Sequence, residues 1–564
     1  MNVRSRNLLL VLLVFCCAFP ANSQQKQKIT LEDIWAKGTF SFKSVHGVNW
    51  MKDGRYYTSQ VPDQENKTTD VVKFDVRTGQ PVATLVEGET LKPEGQQEVL
   101  DIDGYTFNSD ESKILFSTET EPIYRRSTKA EFYVYDMATK KLQKLSNGGK
   151  QSYATFSPDS KRVAFMRNNN MFYVDLATMQ EKQITTDGEW NKIINGNCDW
   201  VYEEEFEFAQ AFFWSPDGKK IAYYKFDESE VPEYNMQVWN GLYPQDYKFK
   251  YPKAGEKNSV VTIWVYDLAN NSNKQMDTGA EKDQYIPRVM WTNDSNLLSI
   301  RRMNRLQNQL EILHANATTG QSEVVLKETD KAYIDINDDL TYLKNGKEFI
   351  HSSEKDGYKH LYLHKMNGKE VRQITNGNWE VADFLGIDEK NDVLYFTSTE
   401  VSPLQRQLYS INIKGKNKKR LTEKAGTHTI NMNPDFTYFL DYHSAANAPL
   451  VVSLHTAKDG KQVKVLEDNA KLVNKLGQYD LAKQEFFDFK TTDGVSLNGW
   501  MIKPTDFDPN KKYPVLMFVY GGPGSQTVTD SWGGANYLWY QMLAQKGYIV
   551  VSVDNRGTGA RGAA

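Results

Sequence analysis

The sequence predicts a mainly β protein: an eight-bladed β-propeller followed by the start of an α/β domain. Three observations carry that expectation. One strand–turn–strand pattern recurs eight times between Val71 and Leu466. Tyr (31) and Trp (12) are abundant among many Asp, Asn and Gly turn residues, a composition that favours strands. From about Gln484 the pattern changes to two long apolar runs separated by a helix-spaced segment, as in a βαβ unit of a parallel sheet.

The chain has 564 residues, too many for a single core. With 40% apolar and 25% charged residues its composition is that of a soluble globular protein. The net charge is −4 and no basic stripe stands out, so no nucleic-acid partner is expected.

At the N-terminus Arg4 and Arg6 precede an apolar run from Leu8 to Phe19, then Ala21-Asn22-Ser23. This predicts a signal peptide over residues 1–23, cut before Gln24. The apolar run is too short to cross a bilayer, so no stable membrane span is expected. Phe15 before Cys16 argues against a lipoprotein signal. Cys16 and Cys17 leave with the signal and Cys198 stands alone, so no internal disulfide is expected. A large exported chain without disulfides fits a bacterial periplasmic or extracellular protein. Cys198 reads as a small buried apolar residue, since no His is near it in sequence.

Residues 24–55 are expected to lead into the propeller, which is assigned to 56–483. The repeat is seen in "VVKFDVRTGQPVATLV" from Val71, "EFYVYDMATKKLQKLS" from Glu131 and "NMFYVDLATMQEKQIT" from Asn170, and again from Val261, Gln309, His360, Gln407 and Val451. Turn-and-strand units such as "WSPDGKKIAY" at Trp214 precede several copies. Most copies recur at roughly 40 to 60 residues, near known blade periods, and a single blade cannot bury its own faces. Asp175 and Asp267 stand much further apart than one blade. The excess holds "DWVYEEEF", Asp199 to Phe206, in which Glu203, Glu204 and Glu205 are adjacent. Insertions in repeat proteins project from one face and often bind ligands. Neighbouring side chains on a strand point to opposite faces, so two of these glutamates can share a ligand only from a helix or turn. Asp199 as N-cap fits a short helix. The triplet lacks the ligand alternation of a calcium loop, and no metal site or cofactor is expected.

Residues 484–564 are assigned to the second domain. "YPVLMFVYGG" and "YIVVSVDNRG" read as strands buried on both faces, and "ANYLWYQMLAQKG" as a helix, with Leu538 and Met542 four apart and Gly547 as its C-cap. "YGGPGSQ", Tyr520 to Gln526, is no phosphate loop, for no Gly-Lys-Ser/Thr follows. It is similar to the glycine-rich oxyanion loop of α/β-hydrolases.

Together "DWVYEEEF", "YPKAG" at Tyr251, "NWEV" at Asn378, "VYGGPGSQ" and "DNRGTG" at Asp554 resemble the dipeptidyl peptidase IV family of the prolyl oligopeptidase group. The resemblance covers nearly the whole mature chain. It implies an eight-bladed β-propeller followed by an α/β-hydrolase domain, and a serine exopeptidase acting on peptides with a free N-terminus. It implies that Glu204 and Glu205 grip the substrate α-ammonium, that Arg125 (with Arg126 as rival) contacts a substrate carbonyl, and that Tyr520 is the oxyanion donor. It implies X-Pro or X-Ala preference and a homodimer. Two carboxylates suit an α-ammonium, whose pKa near ~8 keeps it largely charged at neutral pH.

The sequence departs from this pattern in two places. It contains no G-x-S-x-G nucleophile turn, and its eight His all fall between His46 and His455. The expectation is a chain truncated before the Ser, Asp and His of the triad, inactive as it stands. The loop at Tyr333-Ile334-Asp335 is shorter than in the family, leaving the substrate pocket formed there without assigned residues. An oligopeptidase or acylaminoacyl peptidase of the same architecture, and a non-catalytic peptide-binding propeller, are the alternatives.

Overall fold

The computed structural model describes residues 26–563, so the expected signal peptide, with Cys16 and Cys17, lies outside the described residues. Eight antiparallel sheets follow one another along the chain, at 49–86, 104–144, 152–183, 193–275, 284–329, 341–373, 381–420 and 427–467. They are blades 1 to 8 of the propeller. Seven are four-stranded, and blade 4 gains a fifth strand, Phe212–Trp214.

The eight sequence copies are the third and fourth strands of the eight blades. Four of the eight copies end their first strand on an aspartate, Asp75, Asp136, Asp175 or Asp267, and that aspartate has a local cause. Asp75 Oδ1 accepts the backbone N–H groups of Arg77 and Thr78, and Asp175 and Asp267 do the same for the two residues starting two positions on. The carboxylate closes the tight turn that returns the chain along the blade.

Each seam between neighbouring blades has its own apolar cluster. Phe165 and Leu115 fill the seam of blades 2 and 3, Phe212 and Met171 that of 3 and 4, and Phe439 and Leu408 that of 7 and 8. Leu440 and Leu454 of blade 8 meet Val76 of blade 1. Trp50 Nε1 donates to Asn431 Oδ1 at 2.6 Å and Asn433 Nδ2 to the Gly54 carbonyl at 3.0 Å, so the ring closes on itself.

Two segments expected to serve the propeller behave differently. The strand at Asn49–Trp50 already belongs to blade 1, ahead of the expected start at 56. Helix α1 (Leu31–Trp35) and the stretch after blade 8 both join the second core. Ile29, Phe40, Leu472, Leu476 and Tyr479 pack there with Trp500, Leu538 and Met542.

In the second unit the strand Ile549–Val553 pairs in parallel with Val515–Phe518 and antiparallel with Ser496–Ile502. The helix between the two parallel strands, Gly534–Gln545, buries Leu538 and Met542 as expected, and Gly547 follows it at φ +89°. The expectation that both strands are buried on two faces fails for Val515–Phe518. Among the described residues it pairs on one side only, and Val515 and Met517 are exposed.

Candidate functional site

Residues 200–205 form the short helix that the glutamate spacing calls for, Trp200–Glu205. Its N-cap Asp199 accepts the Tyr202 N–H at 2.9 Å through Oδ1 and the Ser259 hydroxyl at 2.6 Å through Oδ2. Six residues cannot hold a helix unaided, and tertiary contacts supply the rest. The Tyr202 ring is buried between Phe206 and Phe226, and its hydroxyl oxygen accepts the Ile286 N–H of blade 5 at 2.7 Å. At the other end Arg288 Nη1 donates to the Phe206 carbonyl at 2.7 Å, while Arg288 is ion-paired with Asp338 at 2.5 Å.

Helical rotation fans the three glutamates apart, which keeps like charges from converging. Glu203 points inward and is 5% exposed, Glu204 is half-buried, and Glu205 is exposed. Opposite them stands the tight loop 123–127 of blade 2, joining strands Lys113–Pro122 and Thr128–Asp136. Arg125 Nη2 lies 3.1 Å from Glu204 Oε1, and the Tyr124 hydroxyl donates to Glu204 Oε2 at 3.2 Å. Arg126 pairs instead with Glu207, at 3.3 Å. Glu203 Oε1 accepts two consecutive backbone N–H groups, Arg126 at 2.8 Å and Ser127 at 2.7 Å.

The structure therefore brings Arg125 and Glu204 together, while Glu205, on the next position, is exposed and has no ion pair among the described residues. The loop at Tyr333 borders the same place. Burial first, then the Asp335 and Glu205 charges, push the Tyr333 phenol up from its ordinary value. Cys198 is buried beneath the helix, as an inert apolar residue would be.

Tyr520 lies in the second unit. It follows the strand Val515–Phe518 and is 61% exposed, and among the described residues no hydrogen bond joins it to Glu204, Glu205 or Arg125. Its loop is knitted to "DNRGTG": Gly524 N–H donates to the Gly557 carbonyl at 3.1 Å and Gly559 N–H to the Gly524 carbonyl at 3.2 Å. Gly521 and Gly524, both at φ +83°, permit that path. The second unit is docked on blades 7 and 8. Asp530 accepts from Gln405 Nε2 at 3.1 Å and from the Ala446 N–H at 3.0 Å.

Sequence reasoning overlooked Tyr124, Glu203 and Glu207. For Tyr124 and Glu207 no sequence signal existed. For Glu203 one did: three successive helical residues cannot all face one ligand, so one had to turn inward.

The model of the family described as "Dipeptidyl peptidase IV (DPP IV) N-terminal region" matches residues 108–450. The probable dipeptidyl-aminopeptidase B of Botryotinia fuckeliana is 31% identical over 94% of this chain, which spans 62% of that relative's length. The dipeptidyl peptidase 4 of Trichophyton rubrum is 31% identical over 95% of this chain and 69% of its own length. Among solved structures, Porphyromonas gingivalis dipeptidyl peptidase 4 superposes with a TM-score of 0.88 at 38% identity, covering 95% of this chain and 75% of that one. No helix among the described residues is long and apolar enough to cross a membrane.

Proposed function

Because the chain belongs to the dipeptidyl peptidase IV family, we propose that it forms the substrate-recognising part of a serine-type dipeptidyl peptidase, which releases N-terminal dipeptides, with proline or alanine preferred second. Glu204 and Glu205 hold the substrate α-ammonium, Arg125 a backbone carbonyl, and Tyr520 donates to the oxyanion. The proposal assigns no nucleophile, base or acid among residues 1–564. The enzyme works by an acyl-enzyme route, exported to the periplasm or beyond.

The observation that carries this reading is the Arg125–Glu204 pair beside the exposed Glu205. Glu204 is held by Arg125 and Tyr124. The Arg125 side chain is 60% exposed and free to swing. An incoming ammonium takes up the carboxylates through charge-assisted hydrogen bonds while the guanidinium turns to the carbonyl behind it. Two charges at fixed separation then count residues from the free amine. An exposed apolar hairpin, Glu233–Val238 with Gln245–Lys250, carries Tyr234 and Met236 on its first strand and Trp239, Leu242 and Tyr243 at its tip. It is the surface that a homodimer would cover.

The test is calorimetric titration of the chain with Ala-Pro and with N-acetyl-Ala-Pro. The free-amine peptide is expected to bind at least about tenfold more tightly, an advantage lost in Glu204→Ala and Glu205→Ala. Equal affinity would overturn the assignment and favour an oligopeptidase or acylaminoacyl peptidase.

A further inference from the structure

We propose that Glu203 is a positioning residue of this site, which sets where Arg125 and Tyr124 stand relative to Glu204. The inference rests on the dipeptidyl peptidase reading above and adds a residue that contacts no ligand.

The hairpin loop 123–127 is folded on itself: Ile123 N–H donates to the Ser127 carbonyl at 2.8 Å, and Tyr124 N–H to Ser127 Oγ at 3.1 Å. That fold leaves the N–H groups of Arg126 and Ser127 side by side and pointing the same way. Successive N–H groups of this kind form a small anion-binding nest. The Glu203 carboxylate fills it with a single oxygen, Oε1, at 2.8 and 2.7 Å. Both bonds are charge-assisted, and the Ser127 one is fully buried.

The consequence is geometric. Glu203 and Glu204 are neighbours on one helix, and the nest residues Arg126 and Ser127 adjoin Arg125 in the loop. The bond from Glu203 to the nest therefore fixes the separation of the two backbones across which Arg125 meets Glu204. On the outer side the Arg126–Glu207 pair repeats the tie, but its Glu207 side chain is 69% exposed, so solvent screens it. The inner tie is the one that holds position. If it is cut, Arg125 and Tyr124 keep their chemistry but lose their common frame with Glu204.

Three variants test this with the free-amine and acetylated dipeptides. Glu203→Gln retains an acceptor oxygen in the same place and is expected to bind Ala-Pro within about threefold of wild type. Glu203→Ala is expected to bind at least about tenfold more weakly. Glu203→Asp keeps the charge but falls one methylene short of the nest, and it is expected to resemble Ala rather than wild type. The decisive readout is a double-mutant cycle: Arg125→Ala weakens binding in the wild-type background and has no further effect with Glu203→Ala. A thermal melt of each variant checks that the propeller is folded. If Glu203→Asp binds as wild type, or the Arg125→Ala penalty persists undiminished with Glu203→Ala or Glu203→Asp, the positioning role is overturned. If wild type fails to prefer the free amine, the dipeptidyl peptidase reading fails instead, so the two failures are separable.

Discussion

At Asp199 one buried carboxyl both caps the helix and carries a penalty for its charge. Burial pushes it up to about 6, against the hydrogen bonds from Ser259 and the Tyr202 N–H that favour the ionised form. Glu228 nearby is pushed up to about 7, by burial first and then by the Asp199 charge. A carboxyl with a raised folded-state pKa binds protons more tightly folded than unfolded. Stability from this pair is therefore greatest near pH 4 and falls as pH rises toward 7. Asn keeps the cap but cannot ionise. Asp199→Asn is expected to gain stability over wild type by on the order of 2 kcal/mol at pH 8, with no gain near pH 4. Urea unfolding at the two pH values measures it, and an equal difference at both would refute it. Asp199 as N-cap was legible because it opens a short helical motif, whereas Glu204 and Arg125, with Arg126 as rival, were named through the family resemblance. Tyr124 and Glu207 were not, because their partners lie 80 residues away for Tyr124 and on another blade for Glu207.

The elements that matter here are seams, where two blades meet, and each combines apolar packing with some buried polar groups. The seam between blades 5 and 6 holds buried histidines. His314 Nε2 shares a hydrogen bond with the Tyr342 hydroxyl at 2.8 Å, and the Phe349 ring lies between His314 and His364. His351 lies 3.4 Å from Glu328. Burial pushes His314 down to about 4, and burial also lowers His364. His314 is therefore neutral in the fold near neutral pH. Below pH 6.5 the unfolded chain takes up protons that the seam refuses, so stability is lost as pH falls from 6.5 toward 4. This slope runs opposite to that of Asp199. His314→Asn is expected to flatten the acid limb, recovering on the order of 1–2 kcal/mol at pH 5 relative to its own value at pH 7. A melting profile that keeps the wild-type acid slope would sink the assignment. No sequence pattern announced this seam, since a buried His on a strand looks like any other alternating residue.

For the whole molecule, the repeat made the ring legible: the strand–turn–strand unit is local, so it recurs in sequence wherever a blade recurs in space, although the turn aspartate itself stands in only four blades. The insertion in blade 4 was legible for the same reason, as a break in the period. What could not be read was how the segments outside the ring are used. The entering and leaving segments are zipped to each other. Gln27 pairs with Tyr479 in a parallel bridge, and the Asn469 side chain bonds both the N–H and the carbonyl of Lys43. Both then enter the core of the second unit, where Phe40 meets Tyr479 edge-on at 4.9 Å. Phe40→Ala is expected to cost about 3–5 kcal/mol. It should lower one shared calorimetric transition rather than only the later part of a split one. Two resolved transitions, with the propeller's unmoved, would contradict that coupling.

The zipped segments have a mechanical reading. A ring whose two ends are held by a neighbouring core behaves like a purse on a drawstring. Its first and last blades cannot part while that core holds. Loosening the string, rather than any one blade, is then the way the ring would widen.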